Sequence, residues 1–162
     1  MYRCRAALLV APGMAALSVG LLVYLTDRDP SKASLILAVS WLQGAIAFGA
    51  VGGCLPTLAH TFAFSLFTAA ALPRRSSPPY GACVTWFALN AAFEVGQHPQ
   101  VSLRLAALLE RDDLAGPLSS ALANYFVRGT FDVRDIGAAL IGAVLAGATL
   151  RAMHNVNWRK SA

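Results

Sequence analysis

Charge is scarce in this chain. Charged residues fill 13% of its 162 positions, against about 25% in ordinary globular domains, while hydrophobic residues reach 57%. So apolar a sequence is not a disordered one, and so little charge makes a poor coat for a water-soluble domain. Cysteine is sparse too. Cys4, Cys54 and Cys83 are far apart, without C-x-x-C or Cys/His spacing, so no metal ligand set and no cofactor is expected. There is no G-x-S-x-G elbow and no H-E-x-x-H helix, which removes the most recognisable hydrolase and metalloprotease machinery. No internal repeat divides the chain, which reads as one domain over 1–162. The net charge of +5 need not mean nucleic acid, because basic cytoplasmic ends of a membrane protein account for it.

What the sequence does have is long apolar runs, several near the roughly 17 to 25 residues that cross a bilayer as a helix. The first, 6–25, carries no charge and follows Arg3 and Arg5. It is longer than the apolar core of a secretory signal, so a retained signal anchor is expected rather than a cleaved peptide. Two further runs cover 55–72 and 80–97, and the segment "PRRSSPP" between them is a turn whose prolines end one helix before the next begins. The last run covers 133–150. A fifth, 33–53, is apolar enough to cross but is interrupted by glycines.

Charge placement chooses between four and five spans. With four, one side holds Arg3, Arg5, Arg74, Arg75, Arg151, Arg159 and Lys160 and no acid. The other side then receives Asp27, Asp29, Glu110, Asp112, Asp113 and Asp132, with Asp135 just inside the last helix. Five spans would push Arg74, Arg75 and the basic tail outward, against the positive-inside rule. The expected fold is therefore an all-α, polytopic membrane bundle of four transmembrane helices, or five if 33–53 crosses. Both termini are cytoplasmic in the four-span arrangement. The long outer loop, 98–130, has leucines near helical spacing and a break at Gly116-Pro117, which predicts two short amphipathic helices at the interface.

This topology gathers polar residues that the sequence scatters. Asn90, Glu94 and Gln97 share a face of the third run, and Glu94 is about 4.5 Å from its end at 1.5 Å per residue. His60 lies about a turn and a half inside the second run, and Asp132 and Asp135 open the last. His60, Glu94, Gln97, Asp132 and Asp135 thus fall at one depth, with Arg128 and Arg134 flanking the acidic pair. Each has a plainer reading. Asp132 and Asp135 suit the start of a helix, where the dipole favours negative charge. His60 is as readily a bonded core histidine as a working base, and the arginines can snorkel to the interface. A carboxylate inside a span costs about 2.5 to 3.5 kcal/mol at the bilayer centre and less near the edge, so Glu94 either reaches water or has a function. In the last run Ala138, Gly142 and Ala146, and likewise Ala139, Ala143 and Gly147, recur every four residues. That spacing serves close helix packing in the bundle or a dimer face.

Three segments together, "LPTLAHTFAFSLFTAAAL" with Pro56 and His60, "FEVGQ" with its E-x-x-Q, and "RGTFDVRDIGAALIGAVLAG" with its R-x-x-x-D-x-x-D, resemble the VanZ-like family of small bacterial membrane proteins over roughly 55–150. The stretch between Gln97 and Arg128 departs from the family pattern as a long insert. The resemblance implies a bacterial inner-membrane protein of the cell envelope, with Glu94, Gln97, Asp132 and Asp135 as the characteristic polar positions and His60 matching the second-span histidine. The founding member confers low-level resistance to the glycopeptide teicoplanin, and no defined reaction comes with the family. The expected function is the binding or shielding of an envelope lipid or glycopeptide at the outer leaflet, with membrane lipids as partners. In that reading Arg128 or Arg134 faces a phosphate. An accessory subunit of a larger membrane complex is the structural alternative, and the protein partners to be expected are other membrane subunits or a second copy of the chain. A lipid-linked hydrolase built on His60 with Asp135 or Glu94 is the enzymatic one, and it lacks an obvious nucleophile; no catalytic residue is assigned.

Overall fold

The computed structural model describes residues 2–27, 48–73, 78–111 and 116–159. Among them are six α-helices and one 3-10 turn, and no strand. The helices are α1 (Tyr2–Asp27), α2 (Leu55–Ala71), α3 (Tyr80–Gly96), α4 (Pro99–Leu109), α5 (Pro117–Arg128) and α6 (Val133–Arg159). All four runs predicted to span are helical. Of these, α1 and α6 contain segments, Ala6–Thr26 and Val133–Val156, long and apolar enough to cross a membrane, and α2 is a shorter apolar helix. At 17 residues each, α2 and α3 are about 26 Å long, against a hydrocarbon core of about 30 Å.

Local signals set most helix ends. Pro56 opens α2, where a missing N–H is harmless and φ is already helical. The residue before Pro73, Leu72, is extended at ψ 146°, as the following ring demands. Pro117 opens α5, and the Ser119 hydroxyl accepts from the Gly116 N–H and donates to the Gly116 carbonyl, both at 2.8 Å. Both long helices outrun their apolar runs: α1 begins at Tyr2 rather than 6, and α6 continues to Arg159 rather than 150. Hydropathy falls where polar residues begin, but backbone hydrogen bonding does not stop there. The 33–53 run falls mostly outside the described residues. Its described part is the turn Gly49–Val51, with Gly49 at φ 56°, a left-handed conformation that glycine adopts without a Cβ penalty. Arg74, Arg75, Asp29, Asp112, Asp113 and Lys160 also fall outside.

Helix α2 is the hub, packing against α1, α3 and α6, and α6 packs against α2 and α3. Close approaches fix the directions. Gly20 of α1 meets Ala59 and Pro56, and Gly13 meets Phe67, so α1 runs antiparallel to α2. Gly142 of α6 meets Leu58 and Thr61 while Leu150 clusters with Leu66 and Ala69, so α6 runs parallel to α2. Cys83, early in α3, belongs to that same cluster, so α3 runs back. Leu9 joins it as well, which puts the start of α1 and the end of α6 at one end of the bundle.

The packing is small inside and large outside. Ala59, Ala63, Ala69, Ala138, Ala139, Ala143 and Ala146 are buried, while Leu8, Met14, Leu140, Ile141 and Val144 are exposed. Buried Thr61 and Ser65 return their hydroxyls to the carbonyls of Thr57 and Thr61, four residues back, so neither leaves an orphaned polar group. The small residues of α6 face α2 and α3 inside the bundle: Ala139 and Ala146 are wholly buried, and a Cβ on Gly142 would lie 2.5 Å from the Leu58 carbonyl. The spacing in the last run therefore serves packing within the chain.

Candidate functional site

The start of α2, the end of α3 and the start of α6 meet at the end of the bundle opposite Leu9 and Leu150. Two hydrogen bonds between distant segments tie that junction together. The Thr57 hydroxyl of α2 donates to Asp135 Oδ1 of α6 at 3.0 Å. The Asp132 N–H, just before α6, donates to Glu94 Oε2 of α3 at 3.4 Å, a long bond. Glu94 is half-buried and lies within the fields of both Asp135 and Asp132. Three carboxylates from two helices and a connecting turn thus share one locale.

Their local roles differ. Asp132 is exposed and caps α6, its Oδ1 accepting from the Arg134 N–H at 2.9 Å, and Asp135 occupies the first turn of the helix, where the positive end of the dipole is felt. The helix-start reading of the pair therefore holds, and for exposed Asp132 it is compatible with a binding role, since a carboxylate has about four acceptor positions. Thr57, absent from the residues singled out by sequence, is the group of α2 that reaches an α6 acid. Its signal in the sequence was only a hydroxyl one turn before His60.

His60 takes another direction. Its ring stacks on Phe64 with centroids 6.0 Å apart, Phe64 stacks on Trp86 of α3 at 4.8 Å, and the Trp86 N–H donates to the Thr68 hydroxyl at 2.9 Å. His60 begins an aromatic row along α2 and makes no hydrogen bond to Glu94 or Asp135. The base-and-orienter pair that a hydrolase would need is not formed in this arrangement.

Gln97 is buried and belongs to the joint between α3 and the α4–α5 hairpin. Its amide donates to the Tyr125 hydroxyl at 2.9 Å, and its side chain packs so tightly against Gly129 that no Cβ would fit there. Beside it, Phe126 stacks on Phe93 and closes over Gly96. Tyr125, Phe126 and Gly129 are thus the partners that sequence reasoning missed, and no spacing rule links them to E-x-x-Q. Asn90 turns its amide back to the Trp86 carbonyl of its own helix and does not reach the acids. Arg128 and Arg134, both exposed, bracket the link 129–132 and form no ion pair with a described residue.

Chemically, the junction is acceptor-rich, with two exposed cationic side chains at its rim. Carboxylates receive N–H and O–H donors such as sugar hydroxyls, amides or an ammonium, and guanidinium groups receive phosphate oxygens. Among the described residues no group of three or more His, Cys, Asp or Glu side chains has the geometry to hold a metal ion. No protein-family model matches the chain, and no curated protein or solved structure matches it.

Proposed function

We propose that this chain is a multi-pass bacterial inner-membrane protein of the VanZ-like kind that binds or shields the polar part of an envelope lipid or glycopeptide at the outer leaflet. In this reading α1, α2, α3 and α6 span the bilayer with both termini cytoplasmic, and α4 and α5 are short helices at the outer face. Two features support membrane placement. Only 22% of the apolar window of α1 and 33% of that of α6 are buried, whereas the core helix of a water-soluble protein hides most of its surface. Leu8, Val10, Met14, Val19 and Leu21 of α1 and Leu140, Ile141, Val144 and Leu145 of α6 are exposed, and grouped exposed apolar side chains suit a membrane or partner surface.

The observation that carries the functional reading is the convergence of Glu94, Asp132 and Asp135 through bonds between segments 38 and 78 residues apart. Intramembrane or near-membrane carboxylates are costly, and where they persist together they commonly mark a ligand or ion path. Glu94 and Asp135 orient donor groups of the ligand, Gln97 holds the α5 side of the site in position, and Arg128 or Arg134 meets a phosphate. The test is the pair Glu94→Ala and Asp135→Ala, expressed in cells and purified with native lipid. The expected result is loss of the lipid that co-purifies with wild type, read by native mass spectrometry, together with loss of any teicoplanin protection. Folded variants with unchanged lipid content and unchanged susceptibility would sink the reading.

The accessory-subunit alternative draws on the large apolar exteriors of α1 and α6. Gentle extraction separates the two: recovery as a stoichiometric member of a larger particle favours the subunit, and recovery as a lone monomer or homodimer counts against it.

A further inference from the structure

Helix α5 carries an exposed stripe along one side. Along α5, Leu118, Ala121, Tyr125 and Arg128 follow at i, i+3, i+7 and i+10 and are all exposed, so they line one side of the helix. Leu118 is 74% exposed and Tyr125 48%. Ser120 and Asn124, also exposed, lie on the neighbouring flank. The stripe does not end at α5. The Tyr125 ring meets Phe93 edge-on at 5.7 Å, and Phe93, 40% exposed, sits one turn above exposed Leu89 on α3. A continuous apolar path therefore runs from the outer side of α3 over Tyr125 to Leu118.

The position of α5 relative to α3 is fixed. Phe126 stacks on Phe93 and covers Gly96, and the Tyr125 hydroxyl receives the Gln97 amide. The helix is held at the level where α3 ends, with Tyr125 at the edge of that contact and Leu118 and Ala121 exposed beyond it. The one charged residue of α5 is basic: exposed Arg128 closes the stripe and forms no ion pair with a described residue. An apolar flank, a polar flank and arginine at the boundary together make the pattern of a helix lying in a lipid interface. Tyrosine, with an apolar ring and a bonded hydroxyl, suits that level.

We propose that the flank of α5 formed by Leu118, Ala121 and Tyr125 is seated in the headgroup layer of the same leaflet, with Arg128 on a phospholipid phosphate. The proposal rests on the membrane reading given above and narrows it: Arg128 is assigned to the bilayer, which leaves Arg134 beside the carboxylates. The occupant is the phospholipid monolayer itself, because the stripe is continuous with the α3 surface that faces acyl chains in that reading.

The test uses the full chain reconstituted in phosphatidylcholine–phosphatidylglycerol vesicles, with Cys4→Ser, Cys54→Ser and Cys83→Ala as background and retention of helix checked by circular dichroism. A nitroxide is placed singly by Leu118→Cys, Asn124→Cys or Ile141→Cys, all at exposed positions, and its collisions with oxygen and with a water-soluble nickel chelate are compared. The expected result is an oxygen-to-nickel ratio severalfold higher at 118 than at 124, and highest at 141 on α6. A ratio at 118 equal to that at 124, with 141 still lipid-exposed, overturns the docking of α5 and leaves the spanning helices standing. A water-exposed reading at 141 overturns the membrane reading and this proposal with it. Adding Arg128→Gln should make the 118 label shallower; an unchanged depth removes Arg128 from the contact.

Discussion

Adding one methyl group to α6 tests the packing on which the site depends. In Gly142→Ala the new Cβ would lie 2.5 Å from the Leu58 carbonyl oxygen, 3.1 Å from Thr61 Cβ and 3.2 Å from the Phe62 backbone nitrogen. Two of those three atoms are backbone, so no rotamer change relieves the clash. Reaching the 3.4 Å at which ordinary contact begins requires α2 and α6 to part by about 0.9 Å. Such overpacking typically costs about 1–3 kcal/mol. The same movement stretches the Thr57–Asp135 bond, which joins the same two helices about two turns away. Gly137, on the same helix, has no neighbour within 4 Å of where its Cβ would be, and Gly137→Ala should be neutral or gain up to about 1 kcal/mol from helix propensity. The assay is reversible unfolding in mixed detergent micelles, with the midpoint of wild type compared with each variant. The reasoning fails if Gly142→Ala unfolds with wild type, or if Gly137→Ala is as damaging as Gly142→Ala.

Thr57→Val removes the hydroxyl that bridges α2 and Asp135; the expected loss, for a hydrogen bond to a charged acceptor, is about 1.5–3 kcal/mol, read in the same unfolding assay, and a neutral variant would show that the bond contributes nothing. Tyr125→Phe deletes the partner of the Gln97 amide, so protease cleavage within 99–128 should quicken while the bundle midpoint moves by about 0.5–1.5 kcal/mol at most; unchanged cleavage would mean that Phe126 alone holds the hairpin. Maleimide should modify half-buried Cys54 well before buried Cys83. Equal rates would contradict the packing of α3 against α2 and α6.

Much of the helical framework was legible before any coordinates. The prolines at 56, 73, 78, 79, 99 and 117 punctuate the chain, and each constrains its own backbone and that of the preceding residue, whatever lies around it. The bounds 55–72 and 80–97 accordingly fell within a residue of α2 and α3, and the break at Gly116-Pro117 separated α4 from α5. The meeting of Glu94 with Asp132 and Asp135 followed from alternating helix directions alone. The fates of His60 and Gln97 did not. Both lie on faces that admit several neighbours, and which neighbour is met depends on helix rotation and on side chains from segments far away in the chain. His60 met the aromatic row of Phe64 and Trp86, and Gln97 met Tyr125 across the loop. Thr57 came into view only because α2 and α6 approach closely enough at Gly142 to bring a short hydroxyl within reach of Asp135.

The sequence by itself determined where the proline-bounded helices start and stop, that the outer surfaces are apolar, and that Glu94, Asp132 and Asp135 fall at one end of the bundle. These are properties of single residues and of spacing along one chain direction, expressed by local sterics and by transfer energy. Tertiary structure alone decided that the small residues of α6 are consumed inside the bundle, that Thr57 rather than His60 touches an acid, and that Gln97 anchors a hairpin. Those outcomes depend on the relative rotation and separation of packed helices, which a few tenths of an ångström at a glycine can change and which no spacing within one segment records.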